Sequence, residues 1–215
     1  MKLKEIQIIR SILSASIGWS WPVVLLKAMA RKNAVFSRTR WSSTRGAESE
    51  FVKRISVAPA LYVELGKRIG KDKAFEVMEE LLVSIGCSEQ WDHLNSMDVA
   101  EGAGMKRLMA FNRLMDQKGA PRFNKREHVK QDEDLCHFLI TRCVFNDFFV
   151  EAGTPELTQL FCEVDRRFFP EAFPDLRFHR GDSWENTIAC GKDHCEFVFE
   201  KKCLPKCPED GQCLT

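Results

Sequence analysis

The spacing of apolar residues changes along the chain, and this change constrains the fold more than any single motif does. From Glu50 onward, apolar side chains recur three and four residues apart, which predicts amphipathic helices. This spacing is carried by Phe51, Ile55, Ala58 and Leu61. Residues 136–143 instead mix β-branched and aromatic side chains in a short run that predicts a strand, with a helix as the alternative. Helices followed by strands predict an α+β fold with N-terminal helices and a small antiparallel sheet.

Several helices are predicted in the first half of the chain. Residues 61–69 and 73–85 have helical spacing and are punctuated by glycines, and Asp72 is the expected N-cap of the second helix. Pro59 is expected to mark the end of one helix and the start of the next. Residues 105–115 form a further helical stretch. Two polar segments are predicted connectors: residues 36–50 and 117–134.

A helix pair is predicted between the strands of the last third. Residues 144–152 predict a short helix, and the Thr-Pro-Glu run at residues 154–156 is a strong start for a second one. The hydroxyl can cap the helix, the proline suits its first position and the acid favours its dipole. This second helix is expected to run to Phe169 and to be stopped by Pro170. Three short strands should follow: residues 176–180, 186–190 and 195–200.

Charge is distributed unevenly along an otherwise ordinary composition. Residues 1–46 hold nine Lys or Arg and a single acid, Glu5, whereas the remaining residues carry a net charge of −7. The whole chain has a net charge of +1, so its charge balance does not indicate a nucleic-acid partner. Apolar residues make up 44% and charged residues 29%, which excludes a collagen-like or disordered chain. We expect three parts: a basic helical segment at 1–46, an α+β domain at 47–200 and a Cys-rich tail at 201–215.

The basic N-terminal segment has several interpretations. Its longest uncharged run, residues 11–26, is 16 residues long and falls short of the roughly 20 that span a bilayer, so no transmembrane helix is expected. We interpret it as a helix pair that is part of the fold, with Pro22 in the first turn of the second helix. Trp19 and Trp21 would then be packing residues. A targeting presequence and a membrane-surface segment are the alternatives.

Cysteine content indicates a reducing compartment. The chain has nine cysteines, an odd number, and no Asn-x-Ser/Thr sequon, so we expect a cytoplasmic protein. The tail cysteines Cys203, Cys207 and Cys213 do not have zinc-knuckle spacing and are interpreted as part of a flexible end.

Two groups of side chains are candidates for chemistry. Cys162 and Asp165 lie three residues apart on one flank of the second predicted helix, so a thiol and a carboxylate would point the same way. Cys143 stands where a strand turns into a helix, and the free N–H groups of a helix N-terminus stabilise a thiolate. The competing interpretation is that both cysteines are packed apolar residues and that Asp165 pairs with Arg166 or Arg142.

A second set of candidates lies among the last predicted strands. His179 and Arg180 close one strand and Thr187 belongs to the next. Cys195, with Cys190 and His194, could bind a metal together with Cys162 or Asp165, although the spacing is looser than in common zinc sites. The sequence lacks G-x-G-x-x-G, G-x-x-x-x-G-K-[ST], H-E-x-x-H and G-x-S-x-G, so the common nucleotide-binding, zinc-protease and serine-hydrolase classes lose their usual support.

The order of several short motifs resembles the L-2-amino-thiazoline-4-carboxylic acid hydrolase family. The resemblance covers roughly residues 60–200, and its specific motifs lie within 136–199. They run as Cys143, Gly153 with Pro155-Glu156-Leu157, Cys162-x2-Asp165, Leu176-x-Phe178-x-Arg180, Thr187-Ile188-Ala189-x-Gly191 and Cys195-x-Phe197. The resemblance implies a small α+β hydrolase that opens the five-membered ring of a cysteine-derived cyclic amidine to give N-carbamoyl-cysteine. The Gly191-x3-Cys195-x-Phe197 ending is also similar to vinyl-reductase-type small-molecule-binding domains.

Such a reaction assigns a role to each candidate. Asp165 suits a general base for water, and Cys143 or Cys162 could instead attack directly. His179 is a candidate proton shuttle. Arg180 would grip a substrate carboxylate, and Thr187 is grouped with it in substrate binding.

Three functions therefore remain open at this point. The first is a hydrolase that acts on a small cyclic amino-acid-derived substrate and opens a non-peptide C–N bond in the ring of a thiazoline or cyclic amidine, with no required cofactor. The second is a metal-dependent enzyme of the same fold in a specialised biosynthetic pathway, whose divalent metal would be held by Cys162, Asp165 and Cys195. The third is a non-catalytic small-molecule-binding domain. The oligomeric state is not predicted.

Overall fold

The computed structural model describes residues 3–98 and 103–202, and within them it confirms the α+β architecture. The α-helices of this part are α1 (Leu3–Ile17), α2 (Trp21–Phe36), α3 (Ala47–Ile55), α4 (Val57–Ile69), α5 (Lys71–Asn95), α6 (Gly104–Lys118), α7 (Val144–Glu151) and α8 (Thr158–Ala172). The strands are β1 (Lys125–Gln131), β2 (Leu135–Arg142), β3 (Leu176–His179) and β4 (Cys195–Lys201). The predicted tail cysteines lie outside the described residues.

Helices α1 and α2 pack on the body of the protein. Leu13 and Ala28 are fully buried in the same apolar core as α4 and α5, and Pro22 lies in the first turn of α2, as the sequence predicts. Trp21 packs against this core, but Trp19 is fully exposed, so its predicted packing role is wrong. Together α1 and α2 are long and apolar enough to be a candidate membrane span by length and composition, which is weak evidence on its own. The expectation of no transmembrane helix therefore stays a prediction.

The boundaries of α4 and α5 differ from the prediction in three ways. The break between α3 and α4 falls at Ser56, and Pro59 is accommodated in the first turn of α4, where it costs no hydrogen bond. Gly70, at φ 84°, precedes α5, so Asp72 lies in the first turn instead of capping it. Helix α5 continues through Gly86 to Asn95 because that glycine lies against α8 and the packing outweighs its low helix propensity.

The four strands form one antiparallel sheet in the order β1-β2-β4-β3. Strand β2 is confirmed, but β1 falls in a segment that the sequence predicts as a connector. Its side chains are charged and mostly exposed because it is an edge strand held by backbone hydrogen bonds to β2, so it has no alternating apolar pattern. The strand predicted at 186–190 is wrong: the chain there forms a short 3₁₀ turn, Ile188–Cys190, which ends at Gly191 with φ 84°.

Helices α7 and α8 are inserted between β2 and β3, as predicted, but the start and end of α8 differ. Residues Pro155–Leu157 form a 3₁₀ turn before the regular helix, and Thr154 makes no capping hydrogen bond with its side chain. The helix also continues through Pro170 to Ala172. Burial of Phe169 and Ala172 on the core side explains why the proline does not end the helix.

Helix α8 covers one face of the sheet, which we call the inner face. Phe169 lies 4.9 Å from Phe178 and 4.8 Å from Phe199, measured between ring centroids. Another side of α8 packs on α5. This layering places the residues of α8, the end of β3 and the start of β4 within reach of one another.

Candidate functional site

Five of the residues predicted to carry chemistry come together beside α8. Cys162 and Asp165 are on α8, Cys143 precedes α7, Arg180 follows β3 and Cys195 begins β4. They are close enough that the charges of Arg180, Asp165, Cys195 and Cys143 all influence the pKa of the Cys162 thiol. We call these five residues the Asp165 cluster.

Arg180 and Asp165 form a buried ion pair at the centre of this cluster. The guanidinium Nη2 donates to Asp165 Oδ2 over 2.9 Å, and Arg180 is only 2% exposed. The guanidinium also lies over the ring of Phe197, 4.1 Å from its centroid, and Nη1 donates to the backbone oxygen of Glu196 over 3.4 Å. A buried guanidinium needs such partners because removing it from water is costly. The part of the competing interpretation that pairs Asp165 with Arg166 or Arg142 is therefore wrong.

Burial raises the pKa of Asp165 to about 6, although 22% of its side-chain surface stays exposed. Removal of the carboxylate from water is the largest cause, and it is opposed by the charge of Arg180 and by hydrogen bonds from Gln90 and Arg180. Carboxyls with such pKa values are typical of general acid–base sites, because they are ionised at neutral pH and still accept a proton.

The thiols of the cluster are neutral at physiological pH. Burial raises the pKa of Cys162 far above its usual value, and Asp165 adds to this while Arg180 opposes it. Burial likewise raises the pKa of Cys195, even though the N–H of Ile188 donates to its Sγ over 3.2 Å. A protonated thiol is a poor nucleophile and a poor metal ligand.

The position of Cys143 at a helix N-terminus predicts a stabilised thiolate, but the structure shows a second, larger effect on its pKa. It is the N-cap residue of α7, and the backbone N–H groups of Phe145 and Asn146 do lower its pKa, as a helix N-terminus should. Burial is the larger effect and raises the pKa of Cys143 to about 12. The expected stabilisation of a thiolate is therefore outweighed, a balance that depends on tertiary packing.

Three buried polar atoms of this region have no hydrogen-bond partner: Arg180 Nε, Thr187 Oγ1 and Gln90 Oε1. Arg180 and Gln90 both bond Asp165, and Thr187 precedes Ile188, whose N–H contacts Cys195. Buried polar groups are almost always paired with protein, water or ligand. These atoms therefore have hydrogen-bonding capacity that the described protein groups do not use.

His179 is the predicted catalytic residue that the structure does not place with the others. Its Nδ1 lies 3.0 Å from the backbone oxygen of Gly181 and its Nε2 lies 3.3 Å from Glu200 Oε2. Because strand residues alternate between faces, His179 is on the outer face while Phe178 before it packs on the inner face under α8. The sheet therefore separates His179 from Asp165, and the structure gives its proposed proton transfer no support.

The arrangement of side chains does not support the predicted metal-binding site. Among residues 3–98 and 103–202, no three or more His, Cys, Asp or Glu side chains are grouped so that they could hold a metal ion. Within the predicted set of Cys162, Asp165 and Cys195, one carboxylate oxygen is bonded by Arg180 and the Cys195 sulfur accepts an N–H. The divalent metal stays a prediction, and no step proposed below uses it.

Gln90 is the site residue that the sequence analysis missed. It lies on α5, in a part of the sequence whose charged and polar residues form no recognisable functional pattern. The available signal was Gly86, one helical turn earlier, since a Cβ there would lie 2.6 Å from Val164 Cγ2 on α8. A glycine at a close helix contact marks the face that points at the neighbouring helix, and Gln90 shares that face.

Two open grooves lie away from the cluster. One, of about 620 Å³, is lined by residues of α4, α5 and the turn before α8: Tyr62, Lys71, Asp72, Phe75, Glu76, Pro155 and Glu156. The other lies between the segment 40–49 and Arg142, whose guanidinium bonds Glu48 and Asp147. Neither groove includes a residue of the Asp165 cluster.

The sequence model of L-2-amino-thiazoline-4-carboxylic acid hydrolase matches residues 49–199 of the chain. This range contains every member of the Asp165 cluster. No curated protein and no solved structure matches the chain.

Proposed function

Because the chain belongs to the L-2-amino-thiazoline-4-carboxylic acid hydrolase family, we propose that it is a hydrolase in which Asp165 activates water. The substrate class that we propose is a small cyclic amidine derived from an amino acid, such as the thiazoline of the family name. The raised pKa of Asp165, to about 6, is the observation that carries this proposal.

The proposed reaction is an acid–base hydrolysis. Asp165 takes a proton from water as the water oxygen bonds to the ring carbon that carries both nitrogen and sulfur; the electron pair of the C=N bond moves to its nitrogen, which receives this proton from Asp165. Asp165 then takes the remaining proton of the added hydroxyl, the C=O bond forms, the bond from that carbon to the ring sulfur or nitrogen breaks, and Asp165 gives the second proton to the leaving atom. A carboxyl whose pKa is near 6 can do both because neither proton transfer is strongly uphill at neutral pH.

The state of the thiols favours this route over a covalent one. A thiolate is the attacking form of cysteine, and burial disfavours it at Cys143 and Cys162 alike. We therefore assign these two residues, with Cys195, to the apolar wall of the site. Exclusion of water by such a wall strengthens the Asp165–Arg180 interaction.

Substrate binding is assigned to the atoms that the protein leaves unpaired. Arg180 Nε and Thr187 Oγ1 can each donate a hydrogen bond to a substrate carboxylate, and Gln90 Oε1 can accept one from an amino group. Arg180 thereby has two tasks, since its Nη2 keeps the carboxylate of Asp165 in place. We propose that the substrate approaches from the side on which Asp165 keeps 22% of its side-chain surface exposed.

The test is turnover of 2-amino-thiazoline-4-carboxylate by the wild-type protein and by Asp165→Asn. We expect kcat to fall about 10² to 10⁴-fold, the usual contribution of a general base, with the folded state kept. Glu163→Gln, an acid on the same helix whose partners Arg166 and Arg167 are at the surface, is the matched control and should keep its activity. Release of a free thiol identifies cleavage of the bond to sulfur.

The thiol route is tested in parallel. Cys162→Ser and Cys143→Ser should keep kcat within about tenfold if water is the nucleophile. Full loss of activity in either variant, with an adduct detected on that residue in the wild type, would replace the acid–base mechanism by covalent catalysis. Tight binding of cyclic amidines without turnover would identify a non-catalytic binding domain instead.

A further inference from the structure

The outer surface of α1 and α2 carries an unusual concentration of exposed apolar side chains. In the part of the chain that the structure describes, most of the large apolar residues that are exposed lie before residue 30: Leu3, Ile6, Trp19, Val23, Leu26 and Met29. The most apolar 18-residue window of this segment has a mean hydropathy of 1.4, but only 28% of the window is buried. Exposed apolar patches of this kind mark interaction surfaces.

The exposed residues of α2 form one continuous stripe. At 100° per residue, Val23, Leu26 and Met29 fall on the side opposite the buried Val24 and Ala28, which face the core. The helix is therefore apolar on two sides, one of which the body covers. The free side is the one that needs a partner.

Trp19 lies in the turn between the two helices, four residues before Val23. Gly18, at φ 59°, allows the sharp change of direction, and the indole of Trp19 is 100% exposed. An indole has a large apolar ring and one N–H donor, so it suits the boundary between lipid and water. A fully exposed tryptophan is costly to leave in water.

Basic side chains border the stripe. Lys27 and Arg31 follow Val23 at successive helical turns and are exposed, although Arg31 also bonds Glu64 over 3.0 Å. Nine Lys or Arg and one acid, Glu5, lie in residues 1–46, while the rest of the chain is acidic. This positive charge is complementary to an anionic lipid surface.

We propose that α1 and α2 bind the surface of an anionic phospholipid bilayer, with Trp19, Val23, Leu26 and Met29 inserted below the headgroups. The helices lie on the bilayer and do not cross it, since Val24 and Ala28 remain packed on the body. This inference is independent of the hydrolase activity.

The test is co-sedimentation of the full chain with phosphatidylcholine vesicles that contain or lack phosphatidylserine, at low and high salt. We expect binding that requires phosphatidylserine and weakens with salt. Leu26→Ser and Trp19→Ser should each weaken it about tenfold or more, because each removes an apolar side chain that the bilayer would take out of water. Val129→Ser and Val150→Ser, at exposed positions on other elements, are matched controls and should bind as the wild type does.

Circular dichroism establishes whether each variant is folded. We expect all of them to fold, because the substituted side chains are exposed. Absence of vesicle binding, or equal binding by wild type and Leu26→Ser, would overturn the proposal. Light scattering on the same samples tests the rival occupant. A concentration-dependent dimer that Leu26→Ser abolishes would also overturn it, by showing that a second copy of the chain covers the stripe.

Discussion

Arg180 Nη2 donates to Asp165 Oδ2 across 2.9 Å and joins the residue after β3 to the middle of α8. The pair is separated by only 15 positions in sequence, but it links the sheet to the helix that covers it. Both groups are largely withdrawn from water. The net stabilisation by such an ion pair is small, whereas a single charge left buried without its partner destabilises the folded state strongly. Removal of Arg180 alone should therefore be costly.

Arg180→Met should destabilise the protein by about 3 to 5 kcal/mol at pH 7.5, because it leaves the Asp165 carboxylate buried without its counter-charge. Arg177→Met, on β3 three residues before Arg180, is the matched control: its side chain is 67% exposed and its bond to Glu200 spans 4.0 Å, so it should change stability by less than about 1 kcal/mol. Urea unfolding followed by circular dichroism measures both. Equal effects of the two substitutions would contradict the buried-pair interpretation.

The raised pKa of Asp165 predicts a specific dependence of stability on pH. The folded state holds this proton up to about pH 6, whereas the unfolded chain releases it near its ordinary value of 3.8. Between these values the folded state binds more protons, so the contribution of Asp165 to the free energy of unfolding falls as pH rises from about 4 to about 6. At about 1.4 kcal/mol per pH unit, the loss is up to about 3 kcal/mol.

This dependence is isolated by comparison with Asp165→Asn, which cannot ionise. The stability of the wild type relative to this variant should decrease between pH 4 and pH 6 and then level off. Denaturant titrations of both proteins across that range provide the measurement. A difference that grows with pH would mean that Arg180 holds the carboxylate below its ordinary pKa, opposite to the direction found here.

Thiol reactivity should divide the cysteines by burial. Cys190 is exposed, whereas burial raises the pKa values of Cys143, Cys162 and Cys195. Iodoacetamide at pH 7.5 should therefore alkylate Cys190 far faster than these three, as read by peptide mapping. In denaturant the four rates should become similar. Native-state alkylation of Cys162 at the rate of Cys190 would indicate a thiolate and restore the covalent mechanism.

Gly86→Ala tests the close contact between α5 and α8 that brings Gln90 to Asp165. The added Cβ would lie 2.6 Å from Val164 Cγ2, and we expect an overpacking cost of about 1 to 3 kcal/mol that exceeds the helix-propensity gain of about 1 kcal/mol. Gly66→Ala in α4 is the matched control, since its nearest neighbour would be 4.0 Å away, and it should stabilise. Thermal unfolding compares the two variants.

The same contact provides a rescue experiment. If Gly86→Ala acts by steric overlap with Val164, then Val164→Ala should remove that overlap and the double variant should be less unstable than the sum of the single effects. Additive effects would show that the helix contact is not where the strain arises. Activity of Gly86→Ala reports whether displacement of α5 also moves Gln90 away from Asp165.

The sequence by itself determined the class of fold and most of the cluster. Helical spacing and the short β-rich run predict helices before a sheet, and the insertion of a helix pair after β2 is confirmed. Cys162 and Asp165 could be placed on one helix flank because their separation of three residues is a local geometric fact. Strand β1 was not predicted, because its charged residues show no strand pattern and it is held by hydrogen bonds to β2 that form only in the folded chain.

Only the tertiary structure decided the chemistry of the site. Whether Cys143 carries a thiolate depends on the balance between helix N–H groups and burial, and burial prevails. Asp165 pairs with Arg180 and not with Arg166, which is its neighbour in sequence. The segment after β3 brings the Arg180 guanidinium over the ring of Phe197 on β4 and within hydrogen-bonding distance of Asp165 on α8. The spacing of residues determines which side chains share a helix or strand. The pKa values of those side chains and their hydrogen-bond partners depend on how far the packed fold excludes water from them.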